Sequence, residues 1–136
     1  MTRVQAREEA FLIVFEYSFT GHSSEELLEL AAECREFKPG TFVKDEVCGV
    51  IDNITEIDGI IEANIKGWKI GRLGKVALAV LRLAVFEIVK REDIPVGATI
   101  NEAVELAKKY GGDEDSSYIN GVLGTVARSL NCEADS

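Results

Sequence analysis

Val76-Ala77-Leu78-Ala79-Val80-Leu81-Arg82-Leu83-Ala84-Val85-Phe86-Glu87-Ile88-Val89 is the stretch on which the fold turns. It is apolar at nearly every position, so a helix built from it has no solvent face and must be enclosed by other helices. Arg82 and Glu87 interrupt it, and it is shorter than a bilayer span, so it reads as the centre of a bundle. Asp93-Ile94-Pro95 stops it on one side. On the other, Lys66 to Lys75 carries Gly67, Gly71 and Gly74. Each glycine costs a helix about 1 kcal/mol relative to alanine, which predicts a bend and a divide between two half-domains.

Moving outward, helical periodicity continues and period-2 alternation does not appear. A first helix is expected from about Val4 to Tyr17, with Ala6, Ala10, Ile13 and Tyr17 on one stripe and Gly21 ending the region. Ser23 and Glu26 have capping-box spacing and open a second helix, which Pro39-Gly40 closes off. A long third helix is predicted over Phe42 to Ile65, because Val43, Val47, Val50, Ile51, Ile54, Ile57, Ile61 and Ile65 recur every three or four residues. Beyond the central run, Thr99 and Glu102 predict a second capping box, Gly111-Gly112 a stop, and Ser116 or Ser117 the cap of a last helix. The reading is all-α: six or seven helices in one domain over 1–136, with sub-bundles of about 1–66 and 75–130.

The chain has 136 residues, 15 basic against 24 acidic side chains and a net charge of −9. That total argues against general affinity for nucleic acid, since phosphate contacts need lysine and arginine. The charge is uneven, however: residues 1–40, 41–92 and 93–136 carry net −4, 0 and −5. No acid occurs between Ala63 and Phe86, where Lys66, Lys69, Arg72, Lys75 and Arg82 lie. Such a local field reaches about one Debye length, roughly 8–10 Å, and can recruit a phosphate backbone to an acidic protein. Cys34, Cys48 and Cys132 are an odd number without a CxxC pair, so neither a disulfide framework nor a zinc site is expected. The N-terminus lacks the features of a signal peptide, and the expected setting is the reducing cytosol.

No constellation points to catalysis. His22, the single histidine, sits in a predicted turn with no nucleophile motif beside it. Asp113, Asp115 and Ser117 imitate the start of a calcium loop, but Tyr118 and Gly124 occupy the positions that need glycine and glutamate. Neither a cofactor nor a metal is expected. Arg3 and Arg7, four residues apart at a helix start, read as an arm gripping RNA phosphates or as an ordinary solvated face. At the other end, Tyr118 in the first turn of the last helix offers an aromatic face to an unstacked base, beside free helix amides. A plain helical connection with a half-buried tyrosine is the bland alternative there.

Ile100-Asn101-Glu102-Ala103-Val104-Glu105-Leu106-Ala107-Lys108-Lys109-Tyr110-Gly111, followed by Tyr118-Ile119-Asn120-Gly121-Val122-Leu123, resembles the C-terminal signature of the NusB family of bacterial transcription antitermination factors. Ala6-Arg7-Glu8, Ile57-Asp58 and Val80 to Glu87 agree in order, so the resemblance spans residues 3 to about 128. It implies seven helices in two packed, three-helix-like halves. It also implies binding of boxA RNA together with NusE, a small-subunit ribosomal protein, within the transcription elongation complex. Carried onto matching positions, the family's RNA contacts fall on Arg3, Arg7, Glu114, Ser117 and Tyr118, and its NusE contact on Phe15 and Ala77.

The departures have consequences. Arg3-Val4-Gln5-Ala6-Arg7 stands where relatives often run several arginines, and Ala77 and Ser117 replace an acid and a lysine of some relatives. Fewer phosphate contacts imply weaker intrinsic RNA affinity and a flatter salt dependence. Lys69 and Arg72, with Lys66 and Lys75, are expected to compensate in part. The alternative from another class is a helical homodimeric protein–protein scaffold with reduced RNA function.

Overall fold

The computed structural model describes residues 2–34, 39–65 and 69–130, and among them there are seven α-helices and no strand. They are α1 (Arg3–Thr20), α2 (Ser24–Cys34), α3 (Thr41–Asp52), α4 (Ile54–Ala63), α5 (Lys75–Lys90), α6 (Val96–Tyr110) and α7 (Asp113–Ser129), with a 3₁₀ turn at Ile70–Arg72 before α5. The all-α expectation holds. α5 packs against α1, α3, α4, α6 and α7, and every residue from Ala77 to Ile88 is buried. That enclosure is why its sequence lacks a polar face.

Local chemistry sets several boundaries. Thr2 and Gln5 form a reciprocal capping box that starts α1, with bonds of 2.8 and 3.1 Å. Gly21 ends the helix with φ 67°, a left-handed conformation that a side chain would strain. Ser23 and Glu26 exchange the predicted capping bonds at 3.2 and 3.1 Å.

Three expectations are corrected. The predicted helix over Phe42 to Ile65 is two helices, broken at Asn53, whose side-chain amide donates to the Gly49 carbonyl at 2.8 Å. A side chain that competes for the i−4 carbonyl offers the backbone a way out of the helix. The apolar stripe gave no sign of the break, because Val50, Ile51, Ile57 and Ile61 stay buried on both sides of it. Thr99 does not cap α6, which begins at Val96 after Pro95; Thr99 is buried and donates to Glu87 Oε1 at 2.8 Å. Nor does Ser116 or Ser117 cap α7. That helix begins at Asp113 after Gly112, at φ 134°, with Asp113, Glu114 and Asp115 complementing the dipole of its first turn.

α1 and α5 run antiparallel. Arg7 meets Glu87, Ser18 meets Arg82, and Phe19 meets Lys75. Arg82 also grips Asp58 of α4 through two bonds of 2.9 Å, tying three helices together. One hydrophobic cluster runs from Ala6 to Val126. Cys34 and Cys48 are free thiols, while Cys132 and Lys66 lie outside the described residues. No described helix is long and apolar enough to cross a membrane.

Candidate nucleic-acid interface

The two N-terminal arginines, expected to share one helix face as RNA contacts, have different fates. Arg3 is exposed at the start of α1, and its guanidinium carbon sits over the Phe42 ring, 4.3 Å from the centroid. Arg7 is only 5% exposed and binds Glu87 through Nε and Nη2, at 2.9 and 3.0 Å. Its charge is committed inside the bundle, so it anchors α1 to α5 and does not present itself to a phosphate.

Around this pair lies a cluster that the sequence reading missed. Glu46 of α3 is fully buried, and its Oε2 accepts from Arg91 Nη1 at 3.2 Å. Arg91 also forks onto Asp93 with two bonds of 3.1 Å. Burial, then a hydrogen bond with Glu87 and its charge, pushes the Glu46 carboxyl up to about 10. Burial opposes ionisation of Glu87 as well, yet hydrogen bonds from Glu46 and Arg7 and the Arg7 charge outweigh it and hold that carboxyl low. Oε1 of Glu46 meets no donor among the described residues. The protonated Glu46 carboxyl is the donor in the hydrogen bond between the two acids. A signal was present: Glu46 falls within the Val43, Val47, Val50 stripe, and Glu87 within a helix without a polar face. An acid at a core position needs a partner.

Phe42 collects all three arginines, with Arg7 at 5.5 Å and Arg91 at 5.3 Å from its ring centroid in addition to Arg3. Glu87 pairs with Arg7 and Asp93 with Arg91, while Glu102 and Asp45 add negative charge near those two arginines and Asp93 also feels the charge of Arg3. Among the described residues, Arg3 makes no hydrogen bond or ion pair with protein.

The second candidate region is the start of α7. Glu114 and Ser117 are exposed and Tyr118 is half-buried. Tyr118 and Ser117 line an open groove of about 390 Å³ with Asn64, Ile65, Gly121, Val122 and Thr125. The phenol oxygen is buried and has no partner among the described residues, and burial raises its pKa. The ring therefore presents a flank to the groove while its hydroxyl points inward. This groove adjoins the end of α4, immediately before the basic stretch. Lys69 and Arg72 are exposed on the 3₁₀ turn, and Lys75 opens α5 with its ammonium 5.6 Å from the Phe19 ring centroid.

The two basic groups do not merge. Lys75 begins α5 and Arg91 follows its last residue, and 16 helical residues span about 24 Å. The protein face expected at Phe15 and Ala77 is only partly open. Ala77 is 5% exposed, whereas Phe15 is half-buried between Phe11 and Phe19. Phe19, at 62% exposure, is the open member of that row and was not singled out from sequence. His22 is an exposed loop residue, and no group of metal-ligating side chains occurs among the described residues.

Comparison with known proteins agrees with this architecture. The model of the NusB family matches residues 4–128. The transcription antitermination protein NusB of Acetivibrio thermocellus is 43% identical, over 99% of this chain and 94% of its own length. The solution structure of NusB from Aquifex aeolicus superposes with a TM-score of 0.82 at 31% identity, covering 97% of this chain and 93% of that one. A chain from the crystal structure of the antitermination factors NusB and NusE in complex with dsRNA superposes with a TM-score of 0.83 at 30% identity, covering 95% and 99%.

Proposed function

The chain belongs to the NusB family, and from that premise we propose that it is a transcription antitermination factor that binds boxA RNA jointly with NusE. In this role it promotes read-through by RNA polymerase, notably in ribosomal RNA operons, as a non-enzymatic adaptor of the cytoplasm. The observation that carries the reading is the likeness, over nearly the full length of both chains, to a NusB chain solved with NusE and dsRNA.

The division of labour follows from exposure. Arg3 neutralises phosphate at one corner, and Lys69 and Arg72 do so at the other end of α5. Ser117, Tyr118 and the Glu114 turn meet unpaired bases, using a ring flank and amides at a helix start. The partner protein is held by Phe15 and its open neighbour Phe19, with the α5 segment around Ala77 beneath them. The sub-bundles of about 1–66 and 75–130 work as one unit, because α5 carries contacts to both.

Two ligands on one rigid bundle assist each other when each favours the same arrangement. Titration of boxA RNA with purified NusE present and absent tests this. NusE should tighten RNA binding by about 5- to 150-fold, the range of a typical coupling between sites. Equal affinities would overturn joint binding.

A further inference from the structure

We propose that Phe42 is a positioning residue for RNA: its ring holds the Arg3 guanidinium in place, so that the uncommitted edge of that guanidinium is presented to a phosphate. The inference rests on the RNA-binding reading above and goes further, assigning a role to a side chain that the family resemblance did not single out.

Three observations converge. Arg3 is exposed and the closest of the three arginines to the ring, at 4.3 Å from the centroid. A guanidinium held by its face over an aromatic ring keeps its N–H donors free at the edge, the geometry that phosphate accepts in a fork. Among the described residues, no acid or carbonyl claims those donors. The ring is itself held: Phe42 packs against the hydrophobic core and lies beside Arg7 and Arg91, which Glu87, Glu46 and Asp93 tether. Arg3 therefore leans on a rigid platform, and its N–H donors carry no hydrogen bond to the described residues although Asp93 lies near enough to feel its charge.

The physical gain is order. An arginine at the first position of a helix loses considerable rotamer freedom when it grips a phosphate, and a ring that restricts the side chain beforehand lowers that cost. A chain with few N-terminal arginines gains most from holding the one that remains exposed.

A double-mutant cycle tests the assignment, with boxA RNA titrated in the presence of NusE. Phe42→Leu keeps an apolar side chain but removes the ring face, and it should weaken RNA binding by about 2- to 5-fold. In an Arg3→Gln background the same change should have no further effect. Phe42→Tyr should restore binding, and Arg3→Lys, which keeps the charge without the planar face, should bind like Phe42→Leu. Arg3→Lys leaves the core untouched, so it reports even if Phe42→Leu unfolds. Equal losses from Phe42→Leu in both backgrounds, or wild-type binding by Arg3→Lys, overturn the proposal while leaving the RNA reading intact. A wild-type chain that shows no boxA binding with NusE overturns both.

Discussion

Glu46 and Arg7 show what single side chains decide in this bundle. In the folded chain Glu46 keeps a proton that the unfolded chain releases above the ordinary carboxyl value of 4.5. Stability from this group is therefore complete below that pH and falls as pH rises towards about 10. Glu87 has the opposite sign, its contribution being lost as pH falls through its depressed value. Glu46→Gln offers a donor to Glu87 and an acceptor to Arg91 without titrating. It should flatten the decline in stability between pH 6 and 9, and parallel urea-unfolding curves for wild type and variant across that window would contradict the account. Arg7→Ala leaves the buried Glu87 charge without its cation and should cost about 3–5 kcal/mol, whereas Arg3→Ala should stay within about 0.5 kcal/mol. Sequence spacing placed both arginines on one helix face. It could not show that the turn holding Arg7 faces an acid 80 positions away.

At the scale of elements, the approach of α3 to α5 depends on an absent side chain. A Cβ on Gly49 would stand 2.2 Å from the Phe86 ring, and that ring is itself buried. Gly49→Ala should therefore destabilise the fold by about 1–3 kcal/mol, and Phe86→Leu should recover part of the loss in the double variant. Additive losses in thermal unfolding would contradict that contact. Much at this scale was legible beforehand. The central helix was evident because a run without a polar face admits only one packing, and Ser23, Glu26 and Gly21 mark ends through local bonds that sequence spacing describes. The break at Asn53 was hidden, because the apolar stripe continues through it and the interruption lies in the non-helical backbone of Asn53 itself, with its side chain bonded to Gly49. The start of α6 was misplaced for a related reason. Thr99 has the spacing of a cap, but the buried Glu87 takes its hydroxyl.

For the whole molecule, a net charge of −9 and an RNA-binding role are compatible because the positive charge is local. The exposed Arg3 sits at the Phe42 corner, and a second basic group lies about a helix length away at Lys69, Arg72 and Lys75. A body so arranged should bind RNA through few phosphates and rely on its partner for the remainder. The candidate site was legible in part. Arg3, Lys69, Arg72, Ser117 and Glu114 are exposed as such roles require, while Arg7 and Ala77 are buried by contacts between elements far apart in sequence. The most direct test is the salt dependence of boxA RNA affinity, measured with NusE present, for wild type and Arg3→Gln. Log affinity should fall shallowly and linearly with log salt, with a slope smaller by about 0.7 in the variant, the loss of one phosphate contact on a single strand. Affinity independent of salt, or the same slope in both proteins, would contradict it.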